Sequence, residues 1–131
     1  MGDQQRTRTV EAHFEIIEFE ENVYDEPAEG PKLTRVRIRK RYHGVVEGSG
    51  VVDVLTAQGR DGAGYVASER VEGILDGRRG TFVIQHGGSA EGTAQRTFGT
   101  IIPGSGTGEL TGISGRAEEA QREVLTLEYT L

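Results

Sequence analysis

A chain of 131 residues suits one domain with a real core, and its 20 glycines against 3 prolines point to many tight turns rather than to collagen or disorder. A formal charge of −6 speaks against nucleic acid as a partner, and the absence of cysteine excludes disulfides, thiolate metal sites and a thiol nucleophile. No apolar run nears the roughly 20 residues of a membrane-spanning helix, and the polar opening MGDQQRTRTVEAHF lacks a signal-peptide core, so a cytoplasmic protein without a membrane partner is expected.

Residues 1–8 are polar and read as a flexible N-terminus to a single domain over 9–131. The first strand is predicted over 9–20, with Phe14, Ile16, Ile17 and Phe19 as its apolar positions. Alternation slips at Ile16-Ile17, and a β-bulge there would bring Phe14, Ile16 and Phe19 to one side. The acidic stretch 21–31, ENVYDEPAEGP, is predicted as a loop long enough to cap one end of a barrel. A second strand follows over 32–43, where Val36, Ile38 and Tyr42 alternate with Arg35, Arg37, Arg39 and Arg41. The arginine row reads as a solvent face able to pair with glutamates such as Glu15 and Glu18, in preference to a nucleic-acid surface. His43-Gly44 is read as the turn into a third strand over 45–57, which would set Lys40 opposite Glu47 and Ile38 opposite Ser49. Gly48 and Gly50 suggest a sharp bend of the kind barrel corners need.

The most informative stretch is 64–88, GYVASERVEGILDGRRGTFVIQHGG, two strands folded back about Asp76-Gly77. Asp-Gly between alternating apolar residues is a strong hairpin signal, because a type I′ turn needs positive φ at both central positions. With Asp76 and Gly77 central, Val71 faces Phe82, Glu69 faces Ile84 and Ala67 faces His86. With Gly77-Arg78 central, Glu69 lies opposite His86 instead. Either way the side chains alternate, and Tyr65, Ala67, Glu69, Val71, Phe82, Ile84 and His86 share the more apolar face, taken as the inside. A sixth strand is predicted over 93–102 with Phe98 and Ile101, then a glycine-rich run over 103–115, a polar strand over 116–122 and a last strand over 123–131. In that last strand Leu125, Leu127, Tyr129 and Leu131 share one face. About eight strands at hairpin spacing, with no amphipathic helix, predict an all-β fold: an eight-stranded antiparallel barrel, with a β-sandwich as the alternative.

The run 103–115, PGSGTGELTGISG, lacks the Lys-Ser/Thr of a phosphate-binding loop and reads as a structural turn. It resembles the glycine-rich loop of the allene oxide cyclase and dirigent barrels through Gly106-Thr107-Gly108, Glu109-Leu110 and Gly112. GPKLTRV (30–36), SERVEGILDGRRGTFVIQHGG (68–88) and PGSGTGELTGISG together are similar to a bacterial family of unknown function within that superfamily. The resemblance implies an allene oxide cyclase-like barrel over 9–131, a homo-oligomer, and an interior pocket. It implies no reaction and assigns no residue roles.

From the residues themselves, Glu69 and His86 are the candidate catalytic pair, a carboxylate and an imidazole on one apolar wall that would exchange a proton near neutrality. Tyr42, Glu47, Tyr65, Phe82, Ile84 and Tyr129 are candidates to line the same interior and bind a ligand. His13, His43 and His86 lie on different strands without ligand spacing, so neither a metal nor another cofactor is expected. Ser105 lacks the strand-to-helix context of a hydrolase nucleophile. Three functions follow: an isomerase or cyclase that confines a reactive apolar substrate, a non-catalytic carrier of an apolar small molecule similar in logic to lipocalins, or a structural barrel with a filled core.

Overall fold

The structure is a computed structural model that describes residues 6–131. Its elements are β1 (Thr7–Asp25), β2 (Lys32–His43), β3 (Val46–Gln58), β4 (Ala63–Leu75), β5 (Arg78–Glu91), β6 (Ala94–Ile101), β7 (Ser114–Gln121) and β8 (Val124–Thr130), with one 3-10 turn at Gly108–Leu110. Each strand pairs antiparallel with the next, and β8 returns to β1, so eight strands close into a ring. That closure rules out the sandwich alternative. Of the expected flexible N-terminus, residues 1–5 lie outside the described residues, whereas Thr7 and Arg8 are already in β1, opposite Thr130 and Tyr129.

The central hairpin forms as its turn chemistry dictates. Asp76 and Gly77 sit at φ 54° and 86°, and Val71, Glu69 and Ala67 pair with Phe82, Ile84 and His86. In β1, Ile16 pairs with Lys40 and Glu18 with Arg39, which leaves Ile17 as a bulge and returns Phe19 to the inner side. On the outer face Arg39 pairs with Glu18 at 3.1 Å, Arg41 with Glu15 at 3.6 Å and Arg37 with Asp53 at 3.6 Å.

Three expectations are corrected. The stretch Glu21 to Asp25 extends β1 instead of capping the ring, because β2 offers it partners: Glu21 lies opposite Val36 and accepts hydrogen bonds from Thr34 at 2.9 Å and from Gln58 at 2.8 Å. The β2–β3 register is Lys40 with Gly50 and Ile38 with Val52, three residues further along β3 than expected, because the chain takes a longer connection to turn at Gly44 (φ 95°). The odd shift reverses which face of β3 looks inward. β5 also runs to Glu91, past Gly88, with its turn at Gly92 (φ 60°).

The ring has a closed end and an open end. The closed end carries the β2–β3 and β4–β5 turns and is filled by Phe14, Tyr42, Leu75, Phe82, Ile84, Ile101, Leu127 and Tyr129. The glycine-rich run lies along β5 where β6 does not reach it: Thr107 N–H donates to Thr81 O at 2.9 Å, and Val83 N–H donates to Ser105 Oγ at 3.0 Å. From there Leu110 and Ile113, each 1% exposed, drop into the core and plug the end. At the opposite end the strands diverge. β8 pairs with β1 only as far as His13, and β6 pairs with β7 only at Thr100–Arg116 and Ile101–Gly115. β1 and β6 therefore run on past the short β7–β8 hairpin, and the interior opens there.

Candidate functional site

Above the packed core the inner rows of the strands enclose a cavity of about 580 Å³, open at the divergent end. Period-two alternation sets its walls. β2 contributes Val36, Ile38 and Lys40, β3 contributes Val52, Val54 and Thr56, and β1 contributes Ile16 and Phe19 from either side of its bulge. Tyr65 on β4, His86 on β5 and Glu119 on β7 complete the wall, while Glu21 and Arg96 stand at the rim. A mostly apolar concavity with a few convergent polar groups is the usual form of a small-molecule site.

The floor is a buried polar cluster. Glu69 is fully buried; Lys40 Nζ lies 3.1 Å from its Oε1, and Tyr42 donates its hydroxyl to Oε2. The Lys40 ammonium also sits 4.0 Å from the centre of the Phe14 ring, a cation–π contact that helps hold a charge away from water. Burial, followed by the Glu69 charge, pushes the Tyr42 phenol well above its ordinary value. Gly50 makes room for this arrangement, because a Cβ there would fall on the Glu69 carboxylate and beside the Tyr42 ring at 2.9 Å.

His86 is the polar group the protein leaves unfinished. Its cross-strand neighbours, Ala67 and Gly99, are small. Its Nδ1 lies 3.4 Å from Tyr65 Oη, and the two rings meet edge to face at 5.6 Å. Its Nε2 is buried without a hydrogen-bond partner, the one such side-chain atom among the described residues. Buried polar groups are as a rule satisfied, and this nitrogen is closed off although its residue lines the cavity. Burial lowers the His86 pKa; Glu69 opposes this and Lys40 adds to it, so the ring is neutral at physiological pH. Glu119 shifts the other way: desolvation raises its carboxyl, Lys40 lowers it and Glu69 raises it again.

The expected site residues are therefore spread through the molecule. Tyr65 and His86 line the cavity. Glu69 and Tyr42 lie beneath it as its floor, and the carboxylate oxygens are taken by Lys40 and Tyr42 rather than by His86, so the expected direct Glu69–His86 proton exchange is not formed. Phe82 and Ile84 are packed in the closed-end core. Tyr129 is there too, its hydroxyl donating to Asp76 Oδ2 at 2.8 Å next to the Arg8–Asp76 pair. Glu47 lies on the outer surface, turned out by the β2–β3 register. Lys40 was legible and missed: it falls in the same alternating row as Val36, Ile38 and Tyr42, so its inward direction followed from parity alone. Glu119 had the same signal through buried Ala117. Among the described residues no three acidic or histidine side chains gather as metal ligands would, and His13 and His43 stack on the outer face at 6.1 Å.

A protein family described as a protein of unknown function, DUF3224, matches residues 10–131. A crystal structure of a protein of unknown function of that family, from Shewanella oneidensis MR-1, superposes with a TM-score of 0.80 at 31% identity, over 95% of this chain and 96% of that one. No curated protein matches the chain. No described helix is long and apolar enough to cross a membrane.

Proposed function

The chain belongs to the DUF3224 family, and we propose that it is a small-molecule pocket protein: an allene oxide cyclase-like barrel that takes an apolar ligand into its open end. The observation that carries this reading is the cavity itself, about 580 Å³, mostly apolar and open at one end, with Tyr65, His86 and Glu119 among its polar lining groups. A barrel kept only for its shape gains nothing from such a void, since unfilled interior space forfeits packing contacts. The size fits as well, because drug-sized ligands occupy sites of roughly 300–1,000 Å³.

A second reading makes the pocket an isomerase or cyclase. It is favoured by the low pKa of His86, which leaves a neutral imidazole able to take a proton from a bound substrate, with Tyr65 beside it. Confinement and exclusion of water would supply the rest of the rate. Glu69 then acts through the floor it builds, not by touching substrate. The homo-oligomer belongs to the same proposal. Leu55, Val66 and Phe98 are 44, 53 and 59% exposed on the outer wall, a patch for a second copy that sedimentation of the wild type against Val66→Lys would reveal.

Native mass spectrometry of the protein as purified from cells, followed by denaturing release, tests the binding reading. An apolar small molecule carried through purification supports it. An empty protein that also fails to bind any neutral solvatochromic dye sinks both the carrier and the enzyme readings. If a turnover substrate is found, His86→Ala should abolish turnover while sparing binding.

A further inference from the structure

Past the end of β8, β1 runs on with one edge bare. It pairs with β8 only as far as His13, and Phe14 N–H still donates to Glu123 O at 3.0 Å. From Glu15 to Asp25 every residue is exposed, and β2 is the only strand paired with this stretch among the described residues. Bulges at Ile17 and Tyr24 bound a regular segment, Glu18–Val23, in which Phe19, Glu21 and Val23 face inward and Glu18, Glu20 and Asn22 outward. Phe19 and Val23 are 58 and 48% exposed although they face the interior, because no strand stands beside them. An edge of this kind turns a row of N–H and C=O groups to solvent, a template for one more strand.

Charge decides which strand fits. Residues 15–29 hold seven acids and neither lysine nor arginine. Arg41 and Arg39 engage Glu15 and Glu18, but Glu20, Glu21, Asp25, Glu26 and Glu29 have no ion pair among the described residues. A second copy of β1 would lay the same acids against these, which like-charge repulsion disfavours. The paired side of the segment shows what it accepts: Asn22, Glu20 and Glu18 face Arg35, Arg37 and Arg39, while Glu21 and Phe19 face Val36 and Ile38. We propose that the bare edge of Glu18–Val23 docks an extended segment of another protein in which basic and apolar residues alternate, added to the sheet as a strand. The backbone of that segment takes up the free groups, its basic residues stand beside Glu18 and Glu20, and its apolar residues cover Phe19 and Val23. The surface does not depend on what the cavity binds.

Fluorescence anisotropy of a labelled peptide of about eight residues, alternating lysine and valine, tests this. It should bind about tenfold more tightly than three controls of equal length: a glutamate–valine peptide, one with its lysines and valines in two blocks, and one N-methylated at every backbone amide. Binding should weaken as salt rises and should slow amide hydrogen exchange within Glu18–Val23. Glu20→Lys, at the outer acid of the segment without an ion pair, should weaken it about fivefold, whereas Val66→Lys on the outer wall should leave it unchanged. An N-methylated or block peptide that binds equally well would overturn the inference, since charge alone would then hold it. So would binding that leaves exchange in Glu18–Val23 unaltered, or no binding up to about 1 mM. Exchange there that slows with protein concentration, without peptide, would overturn it too by giving the edge to a second copy.

Discussion

Gly50 is where the buried floor is most exposed to a single change. Its missing Cβ is the space that the Glu69 carboxylate and the Tyr42 ring occupy, so Gly50→Ala forces both to move. A loss of about 1–3 kcal/mol is expected, measurable as a lower denaturant midpoint at constant slope. Lys40→Met is more severe, because it leaves Glu69 buried without its cation, and should cost on the order of 3–5 kcal/mol. The double change Lys40→Met/Glu69→Leu removes both charges and should recover most of that loss, which a double-mutant cycle reads directly. His86 makes a prediction in pH. Its folded pKa lies below the ordinary 6.5, chiefly through burial, so below that pH the unfolded chain binds the proton more readily than the folded one. Above about pH 6.5 the residue contributes nothing to pH dependence; below it the wild type loses stability that His86→Phe does not lose. Thermal melts of the two at pH 7 and 5.5 should diverge in that direction. The sequence made Glu69 and His86 stand out because both sit on one apolar face, yet it hid how Glu69 is satisfied. That depends on Lys40 and Tyr42, which arrive from another strand.

Among the elements, the hairpin of β4 and β5 was the most legible, since Asp76-Gly77 sets its own turn and its turn sets every pair up to Ala63 and Ala90. The β2–β3 connection was the least. His43-Gly44 is compatible with several loop lengths, and one residue more or less turns the whole of β3 over, which is how Glu47 passed for an inner residue. The end of β1 was misread for a different reason. Glu, Asn and Asp disfavour strands, and what keeps them in one here is the hydrogen bonding of Glu21 to Thr34 and Gln58, contacts between segments far apart in sequence. The glycine-rich run was read as structural on the absence of phosphate-binding residues, but its work as a surrogate partner for β5 was not visible. That work predicts a division of labour within it. Leu110→Ala should cost about 2–5 kcal/mol, because it empties a fully packed position. Changes at exposed Thr111, on the same short turn, should stay within about 0.5 kcal/mol.

At the scale of the molecule, the fold class followed from strand count and spacing, whereas the cavity did not. Whether eight strands enclose space or fill it depends on the sizes of inward residues on neighbouring strands, and those meet only once every register is known. Here the large residues gather at one end and the small ones, among them Ala67, Gly88 and Gly99, at the other. The ring is also unevenly laced, with only two paired rows between β6 and β7 against thirteen residues of continuous pairing between β4 and β5. Amide hydrogen exchange should accordingly be fast along β6 and β7 near the mouth and slow through β4 and β5. That weak seam gives the molecule a place to yield. On the proposed reading of the pocket, a guest wider than the resting mouth would part β6 from β7 like the lips of a purse, while the stitched remainder of the ring and its plugged base keep their shape.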